Sequence, residues 1–243
     1  MVEISTSFYA EHMTSIEPEL SSTERTRLNR GRHKTRTDRA ELYHLLDEGL
    51  VCHLGVLVEG TPRVLPTGYG RIDDTLYLHG STGARSLREL GEVCVTITLL
   101  DGIVMARSAF HHSMNHRSAM IFGTPRVVTA PEEHEAALRA ITEQLAPGQW
   151  DVVRRPDAKE TAATRVLALP LTEASVKVRT GPPTGDEVDH DLPVWAGVLP
   201  VRTVFDPAIT APDLVHDLPV PEHVTARVTG TAQDVRVRPR GRR

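Results

Sequence analysis

The stretch Thr75 to Leu90, TLYLHGSTGARSLREL, gathers an imidazole, hydroxyls and a guanidinium around two glycines. Leu76, Tyr77 and Leu78 read as a strand, His79-Gly80-Ser81-Thr82-Gly83 as a small-residue turn, and Ala84 to Leu90 as a helix. A helix start offers unpaired backbone N–H groups and the positive end of a dipole. Arg85 and the hydroxyls of Ser81, Thr82 and Ser86 can add to that set, which is the chemistry of a phosphate cradle. The stretch points to a phosphorylated cofactor. It is neither a Walker loop, lacking the Gly-Lys-Ser/Thr ending, nor a dinucleotide fingerprint, lacking the glycine spacing. A plain turn before a capped helix is the commoner reading of such a segment taken alone. His79 is the titratable group best placed for chemistry, as a donor to the cofactor or a proton shuttle. A strand-end histidine satisfied by backbone is the alternative.

A second polar run, Phe110-His111-His112-Ser113-Met114-Asn115-His116-Arg117-Ser118, precedes a core strand. His112 and His116 are four residues apart, but no glutamate occupies the zincin position between them. No metal site is expected, while haem ligation by one of these histidines stays open.

The elements that must position these groups follow from composition and pattern. The chain has 243 residues, 40% hydrophobic and 25% charged, enough for one large or two small globular domains. Aromatics are only 4%, so the core must be aliphatic. The net charge of −4 gives no global case for nucleic acid, and no recognition motif accompanies the basic stretches at Arg25 to Arg39 and Arg236 to Arg243. Cys52 and Cys94 read as reduced core thiols. The polar first thirty or so residues lack a signal-peptide h-region, and no apolar run spans a membrane. A soluble, cytoplasmic protein is expected.

Residues 1–35 read as a flexible basic arm, 36–205 as the folded domain and 206–243 as an irregular basic tail. Thr37 is a candidate N-cap for a helix whose stripe is Leu42, Leu45, Leu46 and Leu50, stopped at Gly49. Strands are expected over 51–58, 63–69 and 75–79, then 93–100. Asp101-Gly102 signals a two-residue hairpin, with 103–108 returning antiparallel. A strand over 119–128, a helix opened by Pro131, an antiparallel pair over 161–169 and 174–179, and a last strand over 195–204 complete the pattern. Ala137, Leu138, Ile141 and Leu145 are the helix's core face. Short turns, few helices and no strand–helix alternation argue against a doubly wound sheet and for a mainly β antiparallel barrel with flanking helices.

LVCHLGVLVEGTPRVLPTGYGRIDDTLYLHGSTGARS, then VCVTITLLDGIVMARSAFHHSMNHRSAMIFGTPRVV, then SVKVRTGPP and LPVWAGVLP, resemble the flavin-binding pyridoxamine-phosphate-oxidase-like superfamily, nearest its nitroimidazole-resistance-type branch. The resemblance runs from about Arg25 to Val201. It implies a split β-barrel homodimer with FMN in a groove at the interface. It also implies transfer of electrons from a reduced nicotinamide to a small acceptor such as a nitro compound or quinone. A flavin-, deazaflavin- or haem-binding module without turnover is the alternative. By position, Pro66, Thr67, Gly68 and Tyr69 fall along the isoalloxazine ring, and His79, Gly80, Ser81, Thr82, Arg85 and Ser86 at the phosphate and ribityl chain. Relatives carry consecutive basic residues where Ser86 follows Arg85, so Arg88, Lys177 or Arg179 is the substitute cation. Asn115, Arg117 and Ser118 are further cofactor contacts. Trp195 covers the ring from the partner subunit or is a core tryptophan. Trp195 and Arg202 lie closer together than the substrate segment of a true pyridoxamine-phosphate oxidase requires.

Overall fold

The computed structural model describes residues 19–20, 23–27, 34–87 and 91–228. A short strand, β1 (Thr35–Arg36), leads into helix α1 (Arg39–Glu48). Four strands follow in quick succession: β2 (Cys52–Val58), β3 (Thr61–Thr67), β4 (Tyr69–Ile72) and β5 (Thr75–Ser81). Then come β6 (Val93–Met105), β7 (Ser113–Gly123), β8 (Arg126–Val127), helices α2 (Pro131–Leu145) and α3 (Ala158–Ala163), β9 (Thr164–Pro170), β10 (Glu173–Arg179), β11 (Gly197–Pro200) and the single turn α4 (Glu222–Thr225). Every strand pair is antiparallel.

The strands form two sheets. The larger runs β1-β10-β7-β6-β2-β3, with β11 added alongside β6; the smaller runs β4-β5-β9-β8. The chain passes between them at Gly68, where β3 ends and β4 begins. Aliphatic residues from both sheets and from α1 make one core: Leu42 and Leu46, Leu54, Val95, Ile97, Leu76, Leu78, Ile121 and Leu167 are all buried. Period-two alternation on β2, buried at Cys52, Leu54, Val56 and Val58, is what aims one face inward. A second cluster lies under α2, where Tyr77, Val166 and Ala168 meet Ala137 and Ile141.

The hairpin expected at Asp101-Gly102 is not one. β6 runs straight through it, with the β6–β7 register shifting between Leu100 and Gly102. The pair is therefore a bulge, and alternation resumes beyond it. A Cβ at Gly102 would lie 3.0 Å from Val198 and 3.2 Å from the Leu199 carbonyl, so glycine there lets β11 come close. The true reversal is at residues 106–112. The α1 cap is Asp38, whose carboxylate accepts from Ala40 N–H at 2.8 Å, one residue beyond Thr37. The 119–128 segment splits between the sheets, α3 occupies the start of 161–169, and the last strand shrinks to four residues. Leu145, expected in the core, is 46% exposed.

The described part of the N-terminal arm is docked. Leu20 N–H donates to Thr37 O at 2.6 Å, and Arg25 pairs with Glu92 at 2.6 Å and with Glu173. Arg88 and the basic run at Arg236 to Arg243 lie outside the described residues. No helix among the described residues is long and apolar enough to cross a membrane.

Candidate functional site

The residues singled out from sequence separate into two groups. The first stands at the seam between the sheets. Pro66 is exposed on the edge strand β3, opposite His53. Thr67 and Gly68 are half-buried, and Tyr69 opens β4 opposite Leu78. The Tyr69 side chain turns into the core. It is fully buried, its hydroxyl 2.6 Å from Leu46 O and 2.9 Å from Gly49 O, where it closes the end of α1.

His79 to Ser86 follow at the end of β5, and their turn differs from the expected cradle. Among the described residues the expected helix is represented by a 3-10 turn, Arg85–Leu87; residues 88–90 lie outside them. Three of the amides leading into that turn are already engaged. Thr82 N–H donates to Ala163 O at 3.0 Å, Gly83 N–H to Ser81 Oγ at 3.1 Å and Ala84 N–H to Ser81 O at 2.9 Å. What the turn holds out for an anion is side chains. Arg85 is exposed, with Nη1 3.8 Å from Glu59 at the tip of the β2–β3 hairpin. That contact places Arg85 between the turn and the hairpin, with Ser86 half-buried beside it. The arrangement fits a phosphate held by a guanidinium fork and hydroxyls, not by a helix dipole. His79 is exposed, yet the groups packed about its ring push its pKa below the ordinary histidine value.

The second group is on the larger sheet. Asn115 is buried and receives Arg179, whose guanidinium also reaches Gly181 O at 3.1 Å and Pro182 O at 3.3 Å. Arg117 is held by two carboxylates, Glu48 and Asp101, with Nη2 2.7 and 2.8 Å from them, and this raises its pKa. Ser118 lies on the outer face, in one cross-strand row with Thr98 and Lys177. The next row places His116 opposite Arg179. The His116 pKa is lowered, by burial first and then by Lys177 and Lys34. So Lys177 and Arg179 serve this face, not the β5 turn. Trp195 is 66% exposed and lies against Gly197.

A pocket of about 530 Å³ opens at the same end of the sheet, lined by Lys34, Arg36, Arg179, Phe110 and His112 among others. His111, His112 and His116 do not converge on one point as metal ligands. The group of described residues that does come together is His111 with Asp186 and Asp189, ligand atoms within 4.8 Å of one another. Lys34 and Arg36, absent from the sequence reading of the site, reach it through the pairing of β1 with β10, which no local pattern announces.

Residues 38–178 match the pyridoxamine 5'-phosphate oxidase family. The chain belongs to that family. The flavocytochrome Anf3 from Azotobacter vinelandii is 38% identical, with a TM-score of 0.80 over 88% of this chain and 100% of that one. A FAD and haem binding protein from Mycobacterium smegmatis is 37% identical, with a TM-score of 0.76 over 80% of this chain and 97% of that one. A protein assigned to 5-nitroimidazole antibiotic resistance in Bacteroides thetaiotaomicron VPI-5482 is 24% identical, with a TM-score of 0.51 over 59% of this chain and 86% of that one, and shares the fold. No curated protein matches the chain. The mainly β, antiparallel split barrel expected from sequence is the family fold.

Proposed function

We propose that this chain is a flavin-dependent redox protein that also carries haem, and that it passes electrons from a reduced nicotinamide to a small acceptor such as a quinone or nitro compound. The supporting observation is that two relatives more than a third identical over at least 80% of the chain are a flavocytochrome and a FAD and haem binding protein. A bound flavin supplies two-electron chemistry and a bound haem one-electron chemistry; the protein contributes position and electrostatics.

In this reading the flavin lies along β3 at the seam. Arg85 holds its phosphate with Ser81, Thr82 and Ser86, and Pro66 to Gly68 present backbone to the ring. FMN and FAD share that first phosphate, so the same residues serve either. The two residue groups in the chain are joined by a second copy. The outer face of the larger sheet exposes Leu57, Val64, Leu100 and Met120, an apolar surface suited to a homodimer. Across such an interface Asn115, Arg117, Ser118 and Trp195 of one subunit approach the flavin of the other.

Absorbance of protein purified from cells tests the reading, with released cofactor separated by chromatography to distinguish FMN from FAD. Flavin bands, a Soret band and oxidation of NADH or NADPH are expected. Protein that takes up neither flavin nor haem on reconstitution overturns it. Arg85→Ala is expected to weaken flavin binding by about 1–3 kcal/mol, the scale of one charge-assisted contact, read by fluorescence titration.

A further inference from the structure

Six histidines carry distinguishable surroundings, and they differ in which ring nitrogen is left for a ligand. His134 has Nε2 3.1 Å from Thr164 O, so only the hindered Nδ1 remains. His223 has Nε2 2.8 Å from Gln149 Oε1. His111 has a buried Nε2 that faces the Asp186 carboxylate at 3.4 Å. His116 does not line the pocket of about 530 Å³ described above, and its Nδ1 is buried. His79 stands at the seam assigned to the flavin.

His112 differs from these. Its Nδ1 is 3.0 Å from Ser108 O. A carbonyl oxygen only accepts, so Nδ1 carries the proton and Nε2 carries the lone pair. A backbone carbonyl that fixes the tautomer in this way is the usual partner of a metal-bound imidazole. His112 is exposed and lines the pocket of about 530 Å³. That volume falls in the range of about 300–1,000 Å³ that holds cofactor-sized ligands. Phe110 borders the pocket as an 89% exposed ring, a flat apolar surface with no cover of its own. Lys34, Arg36 and Arg179 line the same space. Arg179 is bonded to an amide and to backbone carbonyls, so its positive charge is not cancelled by those partners.

A lone-pair imidazole, an exposed aromatic ring and three cations in one pocket match a planar, apolar macrocycle that carries a metal and two carboxylates. We infer that haem occupies this pocket, with His112 Nε2 as the protein ligand to iron and Lys34 and Arg179 facing the propionates. The inference rests on the haem-binding reading above and adds the site and the ligand to it.

The test uses full-length protein loaded with hemin and flavin. His112→Ala and the more conservative His112→Gln are compared with His111→Ala by Soret position, haem affinity and response to imidazole. Flavin content and thermal unfolding report the fold. Loss of at least about tenfold in haem affinity and a shifted Soret band are expected in both His112 variants. Added imidazole should restore the wild-type spectrum in His112→Ala. Lys34→Glu is expected to weaken haem several-fold and leave flavin in place. A wild-type spectrum and affinity in both His112 variants removes His112 as the ligand, while wild-type haem uptake keeps the functional reading. Loss of ligation in His111→Ala alone moves the site to His111 and overturns the assignment. Loss of flavin but not haem in Lys34→Glu gives the pocket to the flavin. If the wild-type chain takes up no haem at all, the haem half of the proposed function falls and the inference falls with it.

Discussion

The two sheets are finished to different degrees. The smaller is covered on both sides. Leu76, Leu78, Leu167 and Leu169 face the main core, while Tyr77, Val166 and Ala168 face α2. The larger is covered on one. Leu54, Val95, Ile97 and Ile121 are buried inward, but Leu57 and Val64 on the opposite face are 64% and 66% exposed. A strand sealed on both faces has no surface left to offer a ligand or partner. An antiparallel sheet with one open face does, and an open face that is apolar calls for something to cover it. The proposed haem pocket and the proposed dimer surface both belong to the open sheet. The sealed sheet contributes its edge turn, where β5 ends in Ser81 and leads to Arg85.

The contrast breaks most severely on the sealed side. A Cβ at Gly70 would lie 2.5 Å from Ala140 C and Ile141 N, both backbone atoms of α2. No side chain can swing away, so the helix itself must lift. Gly70→Val is expected to cost about 1–3 kcal/mol or more and to lower Tm by several degrees in a thermal melt. A melt unchanged from wild type would show that α2 is not seated on β4. The open side should behave otherwise. Val64→Glu with Met120→Glu places charge on the exposed face without touching the inward core. Light scattering should show half the wild-type mass, with the far-ultraviolet spectrum retained. A double variant of wild-type mass would show that this face is not the interface.

How much of this was legible in the sequence depends on how local the cause is. Strand β5 was readable in Leu76, Tyr77 and Leu78, because a short apolar run between turn signals is a local pattern. Helix α2 was readable from Pro131 and the acidic first turn of Glu132 and Glu133. Asp101-Gly102 misled because turn chemistry is local and its override is not. Asp101 is held by Arg117 from β7, and Gly102 is crossed by β11. The turn after Ser81 promised free amides for the same reason: Ala163, far along the chain, takes the Thr82 N–H. One signal was present and unread. Asp157 and Glu160 form a reciprocal capping box, each side chain accepting the other's N–H at 2.8 Å, and it opens α3 where a strand was expected. The pocket's cations had no local signal, since Lys34, Arg36 and Arg179 meet only through the pairing of β1 with β10.

The smallest expected effect separates the two regions by the cause of a pKa shift. His79, on the sealed sheet, is lowered by burial alone. His116, on the open sheet, is lowered by burial and by Lys177, Lys34 and Arg179. In both cases the unfolded chain, with its ordinary value near 6.5, binds more protons than the folded one. Stability therefore rises with pH across this window. It is lost as pH falls past about 6.5 and levels off once pH lies below the folded value. Each histidine is partly exposed, so each contribution should stay under about 1 kcal/mol. Salt tells them apart. Charge repulsion is screened over a Debye length of roughly 8–10 Å at moderate ionic strength, whereas desolvation is not. Urea unfolding of His116→Gln should show a flatter pH slope than wild type at low salt, with the difference shrinking at high salt. His79→Gln should flatten the slope by the same amount at both. Equal salt dependence in the two variants would remove the cations of the open sheet as the cause of the His116 shift.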